Sequence, residues 1–126
     1  MPDLKALVSA LNFQNKNVVV VGGTQGIGSG IAIRFAELGA AVLIVGRNEM
    51  LGSEMVKKLE KASFTGDWDD YDGIARRFKF VKRDLSKVGD IKEAAEDIAE
   101  WAGKNGIHYL FQCQGGVSIF GIFIYF

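Results

Sequence analysis

Three glycines follow a run of four valines near the amino terminus, and their spacing is the first feature that could do chemistry. They are Gly22, Gly26 and Gly28, and the valines occupy residues 18–21. Glycine at such positions permits a tight turn and lets backbone N–H groups come close to a ligand. A helix that begins at this turn would direct its free N–H groups and the positive end of its dipole at a bound anion. The spacing therefore predicts a cradle for the phosphates of a nucleotide.

A positively charged side chain follows the next apolar run. Residues 41–45 are apolar, and Gly46, Arg47 and Asn48 come directly after them. A carboxylate at this place would accept hydrogen bonds from a ribose 2′-OH, whereas a guanidinium can pair with a 2′-phosphate through two charge-assisted bonds. Taken alone, an arginine here is more simply explained as a solvated residue just past a strand.

The elements that must position these residues can be predicted from the apolar pattern. Apolar runs rich in β-branched residues indicate buried parallel strands, and apolar residues at spacings of three and four indicate helices. The strands are predicted near residues 17–22, 40–46, 77–83 and 107–114, and the helices near residues 26–39, 48–62 and 86–103. Right-handed crossovers then give an α/β fold, a partial Rossmann or doubly wound parallel sheet with strand order 3-2-1-4. The ligand crevice should lie at the carboxyl ends of strands one and four, where the order reverses.

A resemblance to the short-chain dehydrogenase/reductase family, whose fingerprint is TGxxxGxG, is carried by the stretch LNFQNKNVVVVGGTQGIGSGIAIRFAELGAAVLIVGRN. Val21 stands where the family usually has threonine, but all three glycines are kept. The resemblance covers about residues 12–116 and implies a Rossmann half that binds a nicotinamide dinucleotide. In complete relatives, the reaction is hydride transfer between NADP(H) and a carbonyl or alcohol. The resemblance also implies cofactor contacts from Thr24, Gln25 and Ile27 in the glycine turn.

The same resemblance assigns the two ends of the dinucleotide. It places Arg47 and Asn48 at the adenosine ribose, which favours NADP(H) over NAD(H). Asp84 and Leu85 match an Asp-Leu pair that the family carries beside the adenine ring. On the nicotinamide side, Gly115 is the one residue kept from the family's Asn-Asn-Ala-Gly motif.

Asp84 has a second interpretation as part of a helix amino terminus. It precedes, together with Ser86, an apolar stripe at helical spacing that consists of Val88, Ile91, Ala95, Ile98 and Ala102. Side-chain oxygens at such a position accept hydrogen bonds from the first backbone N–H groups of a helix. The two roles of Asp84 are compatible.

The catalytic residues of the family are a serine and a Tyr-x-x-x-Lys pair, in which the lysine and the cofactor lower the pKa of the tyrosine. None of the three tyrosines, Tyr71, Tyr109 and Tyr125, has a lysine four residues later. Ser118 could be a remnant of the catalytic serine, but a serine without a partner base is more simply ordinary turn or strand material. We therefore assign no catalytic residue, and we expect this chain by itself not to catalyse the family reaction.

Composition excludes several classes of function. The chain has 126 residues, 48% of them hydrophobic, which suffices for one domain with a real core. Fifteen basic residues balance fifteen acidic ones, so neither nucleic acid nor an anionic membrane is an expected partner. Cys113 and His108 are each the single residue of their type, which excludes an internal disulfide and leaves no metal cluster. The expected location is the reducing cytoplasm.

The last ten residues differ from the rest of the chain. Residues 117–126, VSIFGIFIYF, carry no charge and are apolar or aromatic at eight positions. We expect residues 1–116 to form the NADP(H)-binding domain, and the tail to form an edge strand in its own chain or a contact in a homo-oligomer. The abrupt change also fits a truncated, non-functional gene product. Three interpretations stay open: a nucleotide-binding fragment of the family, a noncatalytic dinucleotide-binding or self-assembling module, and an enzyme whose partner chain supplies the missing acid and lysine.

Overall fold

A five-stranded sheet with strand order β3-β2-β1-β4-β5 is the centre of the fold. It is seen in a computed structural model, which describes residues 13–63 and 78–113 together with the backbone of residues 121–124. In chain order the elements are β1 (Asn17–Val21), α1 (Gly26–Glu37), β2 (Ala41–Gly46), α2 (Glu49–Ala62), β3 (Phe78–Lys82), α3 (Val88–Ala102), a short 3-10 helix (Gly103–Asn105), β4 (Tyr109–Gln112) and β5 (Gly121–Ile124).

The pairing of the first four strands confirms the predicted α/β fold and the order 3-2-1-4. β1 pairs in parallel with β2 and β4, and β2 pairs in parallel with β3. β5 lies beyond β4 and runs antiparallel to it, with Ile124 opposite Tyr109. Part of the apolar tail thus forms an edge strand in its own chain, and the rest of residues 114–126 lies outside the described residues.

Each predicted strand and helix is one or two residues shorter than predicted at one end or both, and for the end of α1 and the start of β4 the structure shows a local cause. α1 ends at Glu37 because Gly39, with φ at 95°, turns the chain towards β2. β4 begins at Tyr109 because this residue is the first of the strand to pair with β1, opposite Val18. The carboxyl ends of the strands, where the ligand crevice was predicted, lie within two residues of their predicted positions.

Four consecutive valines are favourable in β1 because the strand is covered on both faces. Val18 and Val20 belong to a core shared with α1 and α2, and Val19 and Val21 belong to a second core shared with α3. Val18, Val19 and Val20 have no exposed surface. A parallel strand with helices on both faces has no solvent side, so apolar residues at every position are stabilising.

α1 packs closely on the sheet through small residues. Its buried positions are Gly28, Ala32 and Ala36, which recur every four residues and so lie on one face. Small side chains on that face allow the helix to approach the strands, and the first of them lies at the glycine turn. Among the described residues, no helix is both long enough and apolar enough to cross a membrane.

The apolar stripe predicted for α3 is partly wrong. Val88 and Ile91 are 83% and 49% exposed, and Ala95 is exposed as well. The residues of α3 that face the sheet include Ala94, Ile98 and Ala102, which again recur every four residues. The buried face is therefore rotated from the predicted stripe in the first half of the helix, and it coincides with that stripe only in the second half.

Asn17 and His108 join β1 to the start of β4 at the edge of the sheet opposite the glycine turn. The N–H of Asn17 donates to Nδ1 of His108 at 2.9 Å, and the N–H of His108 donates to the carbonyl of Asn17 at 2.9 Å. The side-chain amide of Asn17 also donates to the carbonyls of Ala102 and Gly106. Burial, with a smaller contribution from the charge of Lys16, lowers the pKa of His108 below its ordinary value.

Candidate functional site

The glycine turn connects β1 to α1 with backbone angles that side chains rarely adopt. Gly22 has φ at 80° and Gly26 has φ at 58°. The N–H of Gly22 donates to the carbonyl of Val45 at 2.8 Å, which continues the pairing of β1 with β2 for one residue beyond the strand. The turn therefore leaves the sheet at a fixed point, and glycine is required at both positions by conformation.

Gly28 is required by space. A Cβ at this residue would overlap the carbonyl oxygen of Gly22 and would stand 3.0 Å from Cα of Gly23. Gly23 is itself confined, because its Cβ would lie 3.0 Å from a methyl group of Ile44. The start of α1 thus lies directly on the turn, with backbone against backbone.

The amino terminus of α1 is open to a ligand. Gln25 is the N-cap residue in extended conformation, and its side chain makes no capping hydrogen bond to a described residue. The first turn contains no acidic side chain, and Ser29 directs its hydroxyl to the carbonyl of Gly26 at 2.8 Å. The side chain of Ile27 is 62% exposed beside this opening. Uncapped N–H groups at a helix start bind anions well because the helix dipole adds to the hydrogen bonds.

Thr24 brings the turn into contact with the end of β2. Its methyl group lies 3.1 Å from the point where a Cβ on Gly46 would stand. The ring of Phe80 borders the same point at 3.3 Å. Gly46 therefore lets the turn and β3 come together immediately before Arg47, so the predicted phosphate cradle and the predicted ribose contact adjoin each other.

Arg47 and Asn48 are both exposed at the end of β2, but they differ in what they already bind. Oδ1 of Asn48 accepts from the N–H of Leu51 at 3.1 Å and so caps α2. The amide NH₂ of Asn48 makes no hydrogen bond to a described residue and remains for a ligand. Arg47 makes no hydrogen bond or ion pair to another residue in the described part of the chain.

Asp84 lies in the loop after β3, with its carboxylate partly engaged. Oδ1 accepts from the hydroxyl of Ser86 at 2.6 Å and from its N–H at 3.0 Å. The hydroxyl bond is the largest cause that lowers the pKa of Asp84, and the nearby charge of Arg47 lowers it further. The predicted helix-capping role is not what the structure has, because the N-cap of α3 is Lys87. Leu85 is half-buried and packs against the core under α3.

The end of β4 completes the edge next to the glycine turn. The N–H of Cys113 donates to the carbonyl of Val21 at 2.8 Å, which fixes this strand end beside the turn. Burial raises the pKa of the Cys113 thiol. Gly115, which was predicted on the nicotinamide side, lies outside the described residues.

The sequence reasoning missed Arg83, which is bound by two carboxylates of α3. Its guanidinium donates to Oδ2 of Asp97 from Nε at 3.1 Å and from Nη2 at 3.0 Å, and to Oε2 of Glu93 from Nη1 at 2.8 Å. The bond to Asp97 is the largest cause that raises the pKa of Arg83. The available signal was the spacing of Asp90, Glu93 and Asp97, which places three carboxylates on one side of α3.

The structure brings nearly all the predicted cofactor residues to one edge of the sheet. The described ones lie in the turn and the first residues of α1 after β1, and in the loops after β2 and β3; they are Gly22, Thr24, Gln25, Gly26, Ile27, Gly28, Arg47, Asn48, Asp84 and Leu85. The edge combines backbone donors with the exposed guanidinium of Arg47, a combination suited to a phosphate-bearing ligand. Within the described ranges, no group of three His, Cys, Asp or Glu side chains could hold a metal ion.

Comparison with known proteins finds similarity over the part of the chain that contains this site. The family model described as short chain dehydrogenase matches residues 16–118. A 3beta-hydroxysteroid dehydrogenase of Mediterraneibacter gnavus is 37% identical over 92 residues, which are 73% of this chain and 29% of that protein.

Solved structures agree in fold. A short-chain type dehydrogenase/reductase from Mycobacterium ulcerans superposes with a TM-score of 0.68 at 28% identity, over 85% of this chain and 35% of that one. A Caenorhabditis elegans short-chain dehydrogenase/reductase, solved with cofactor, has a TM-score of 0.63 at 26% identity, over 78% of this chain and 32% of that one. The chain thus spans about a third of the length of each of these three proteins.

Proposed function

The chain belongs to the short-chain dehydrogenase/reductase family, and from that premise we propose that it binds a nicotinamide dinucleotide at the glycine turn, with NADP(H) preferred to NAD(H). The observation that carries the proposal is the start of α1. Gly28 lies there against the carbonyl of Gly22 with no room for a side chain, and the uncapped helix faces the edge that also holds Arg47.

The pyrophosphate would be held mainly by backbone. The residues suited to this are those at the start of α1, because a helix amino terminus presents N–H groups without intrahelical partners and no acidic side chain in its first turn repels an anion. Thr24 and Gln25 are the polar side chains of the turn, and Ile27 offers an exposed apolar surface. When bound, the cofactor would supply hydride chemistry at its nicotinamide ring.

Arg47 supports the preference for NADP(H). Its guanidinium is exposed and makes no hydrogen bond or ion pair to a residue in the described part of the chain, so it loses no such bond when it pairs with a 2′-phosphate. Its interaction with Asp84 is a charge attraction. Oδ1 of Asp84 is bonded to Ser86 rather than to Arg47. A ligand without the 2′-phosphate would leave Arg47 in water at little cost, so the preference arises from a gain with NADP(H) rather than from rejection of NAD(H).

For the reaction, we propose the family's hydride transfer between NADP(H) and a carbonyl or alcohol in the whole enzyme, with binding but no turnover by these 126 residues alone. No tyrosine among them has a lysine four residues later. The test is NADPH oxidation with a panel of ketones and aldehydes. Absence of turnover together with measurable binding is expected, and turnover by this chain alone would overturn the noncatalytic part of the proposal.

Calorimetric titration with NADPH and with NADH at matched salt tests the binding. Saturable binding with at least about tenfold higher affinity for NADPH is expected, because one charge-assisted pair contributes roughly 1.5–3 kcal/mol. Equal affinities for NADPH and NADH would contradict a role of Arg47 in selecting between them. Absence of binding by either ligand would overturn the proposed function.

A second candidate function is a self-assembling, noncatalytic dinucleotide-binding module, located in the cytoplasm as the single cysteine suggests. One observation favours it: β5 is an edge strand that adds to β4, and such an edge can pair with a second copy. Light scattering on the full chain and on a chain that ends at residue 116 tests this candidate. A dimer that becomes a monomer without the tail would support it, and an unchanged monomer would exclude it.

A further inference from the structure

Two consecutive residues after β3 are held by carboxylates of α3. We refer to Asp90, Glu93 and Asp97 as the α3 carboxylates. Asp97 and Glu93 bind the guanidinium of Arg83, whose side chain is 30% exposed. Oδ2 of Asp90 accepts from the N–H of Asp84 at 2.8 Å. The side chains of one helix face therefore fix both a side chain and a backbone amide of the same loop.

The same loop is tied to the end of β2. The N–H of Arg83 donates to the carbonyl of Gly46 at 2.9 Å, directly before Arg47. The carbonyl of Asp84 accepts from the N–H of Lys87 at 3.0 Å, which closes the loop onto the start of α3. Displacement of Arg83 and Asp84 would thus disturb the backbone on which Arg47 stands.

Asp90 binds the loop before α3 rather than capping the helix. The N-cap residue is Lys87, whose side chain makes no capping hydrogen bond within the described residues. Asp90, in the first turn, reaches back past the N-cap to the N–H of Asp84. Its carboxylate is near the positive end of the helix dipole, which favours a negative charge there. Because the acceptor is a carboxylate, the hydrogen bond that holds the Asp84 loop is charge-assisted.

We propose that Asp90 and Asp97 are positioning residues for the adenosine half of the dinucleotide: by fixing the backbone at Asp84 and the side chain of Arg83, they hold the loops of Asp84 and Arg47 in the geometry that binds it. This inference rests on the proposed function. Neither carboxylate needs to touch the ligand, because each acts through the residue to which it is bonded.

If these carboxylates acted only through their charge, their removal would change the affinity for the dinucleotide in the opposite direction from the loss of a positioning residue. A dinucleotide with a 2′-phosphate is a polyanion, so deletion of a nearby negative charge should raise its affinity by reducing repulsion. A positioning role predicts lower affinity instead, since the freed loops must be ordered when the ligand binds. The sign of the change therefore separates the two explanations.

The matched variants are Asp90→Asn, Asp90→Ala and Glu96→Ala. Asparagine loses the charge but retains an oxygen that can accept from the N–H of Asp84, whereas alanine loses both. Glu96 is an exposed acid on the same helix without a hydrogen bond or ion pair to any described residue. We also include Asp97→Ala, which removes the main partner of Arg83.

Affinities for NADPH and for 2′,5′-ADP, which is the adenosine half with its 2′-phosphate, are measured by calorimetry, and unfolding temperatures are measured alongside. Asp90→Ala and Asp97→Ala are expected to weaken binding of both ligands by about five- to tenfold, while Glu96→Ala leaves it unchanged or slightly tighter. Asp90→Asn should retain most of the affinity. Unchanged or higher affinity in both alanine variants would overturn the inference and leave the proposed function intact, and no binding by the unaltered chain would overturn both.

A second measurement needs no variant and applies even if an alanine substitution prevents folding. Hydrogen exchange of the Asp84 amide in the ligand-free protein reports its bond to Asp90 directly. Protection comparable to that of the β3 amides is expected. Exchange as fast as that of an unprotected loop amide would contradict a loop fixed before the ligand arrives, and so would overturn the inference.

Discussion

Substitution of Gly28 by alanine should abolish useful dinucleotide binding while leaving the fold in place. The added Cβ would overlap the carbonyl oxygen of Gly22 and lie 3.0 Å from two further backbone atoms, its carbonyl carbon and Cα of Gly23. Backbone atoms cannot rotate away as side chains do, so the start of α1 and the turn must move apart until ordinary contact at 3.4–4 Å is restored.

The size of the effect follows from the bonds that this movement breaks. A hydrogen bond from a backbone N–H to a phosphate contributes roughly 1.5–3 kcal/mol, and loss of two of them weakens binding by about 100-fold or more. The fold itself should lose only about 0–2 kcal/mol, because overpacking costs about 1–3 kcal/mol and alanine is the better helix former by about 1 kcal/mol.

Gly30→Ala is the matched control for this substitution. Gly30 lies two residues further along the same helix, on its exposed side, and a Cβ there meets nothing within 4 Å. It should bind NADPH as the unaltered chain does and unfold at a slightly higher temperature, because it gains helix propensity without a clash. Titration calorimetry and thermal unfolding are run on both variants. If Gly28→Ala bound NADPH as tightly as Gly30→Ala, the close approach at the turn would have no part in binding.

The remaining predictions concern three other side chains. Arg47→Ala should lower the affinity for NADPH by about 10–100-fold and leave that for NADH nearly unchanged, and a preference for NADPH that persists in titrations would refute the assignment. His108 has a lowered pKa in the folded state and its Nδ1 accepts from the N–H of Asn17, so the unfolded chain binds the proton more readily. The free energy of unfolding should therefore fall as the pH drops below about 6.5, where the unfolded histidine titrates. Urea unfolding above and below this pH measures the loss, which should disappear in His108→Asn. Asn48→Ala should reduce the free energy of unfolding by about 1 kcal/mol through loss of the cap on Leu51, with urea titration as the measurement and no change in stability as the contrary result.

The fold could be predicted because its signals are local. Apolar runs that end in glycine identify β1 and β2, and right-handed crossovers leave one order for the four parallel strands. Since parallel strands end at one edge of the sheet, the residues after β1, β2 and β3 could be expected to lie together, and they do. The antiparallel direction of β5 could not be predicted, because apolar composition indicates a strand but not its partner or direction.

The parts of the site that could not be predicted from the sequence depend on contacts between a loop and a helix. Arg83 is 10 and 14 residues from its two carboxylates, and only the observed rotation of α3 brings them to it. The same rotation exposes Val88 and Ile91, so the error in the predicted stripe and the missed ion pairs have one cause. The cap formed by Asn48 had a local signal, because asparagine directly before a helix is a common N-cap. The family resemblance assigned Asn48 to the ribose instead.

The most direct test of the account is to locate the bound cofactor by NMR. Backbone amide shifts of the isotope-labelled chain are recorded with increasing NADPH. If the cofactor binds at the glycine turn, the largest shifts fall on Gly22, Gly26, Gly28, Arg47 and Asp84, which lie together at one edge of the sheet. Shifts confined to other parts of the chain, or none at saturating NADPH, would contradict binding at this turn.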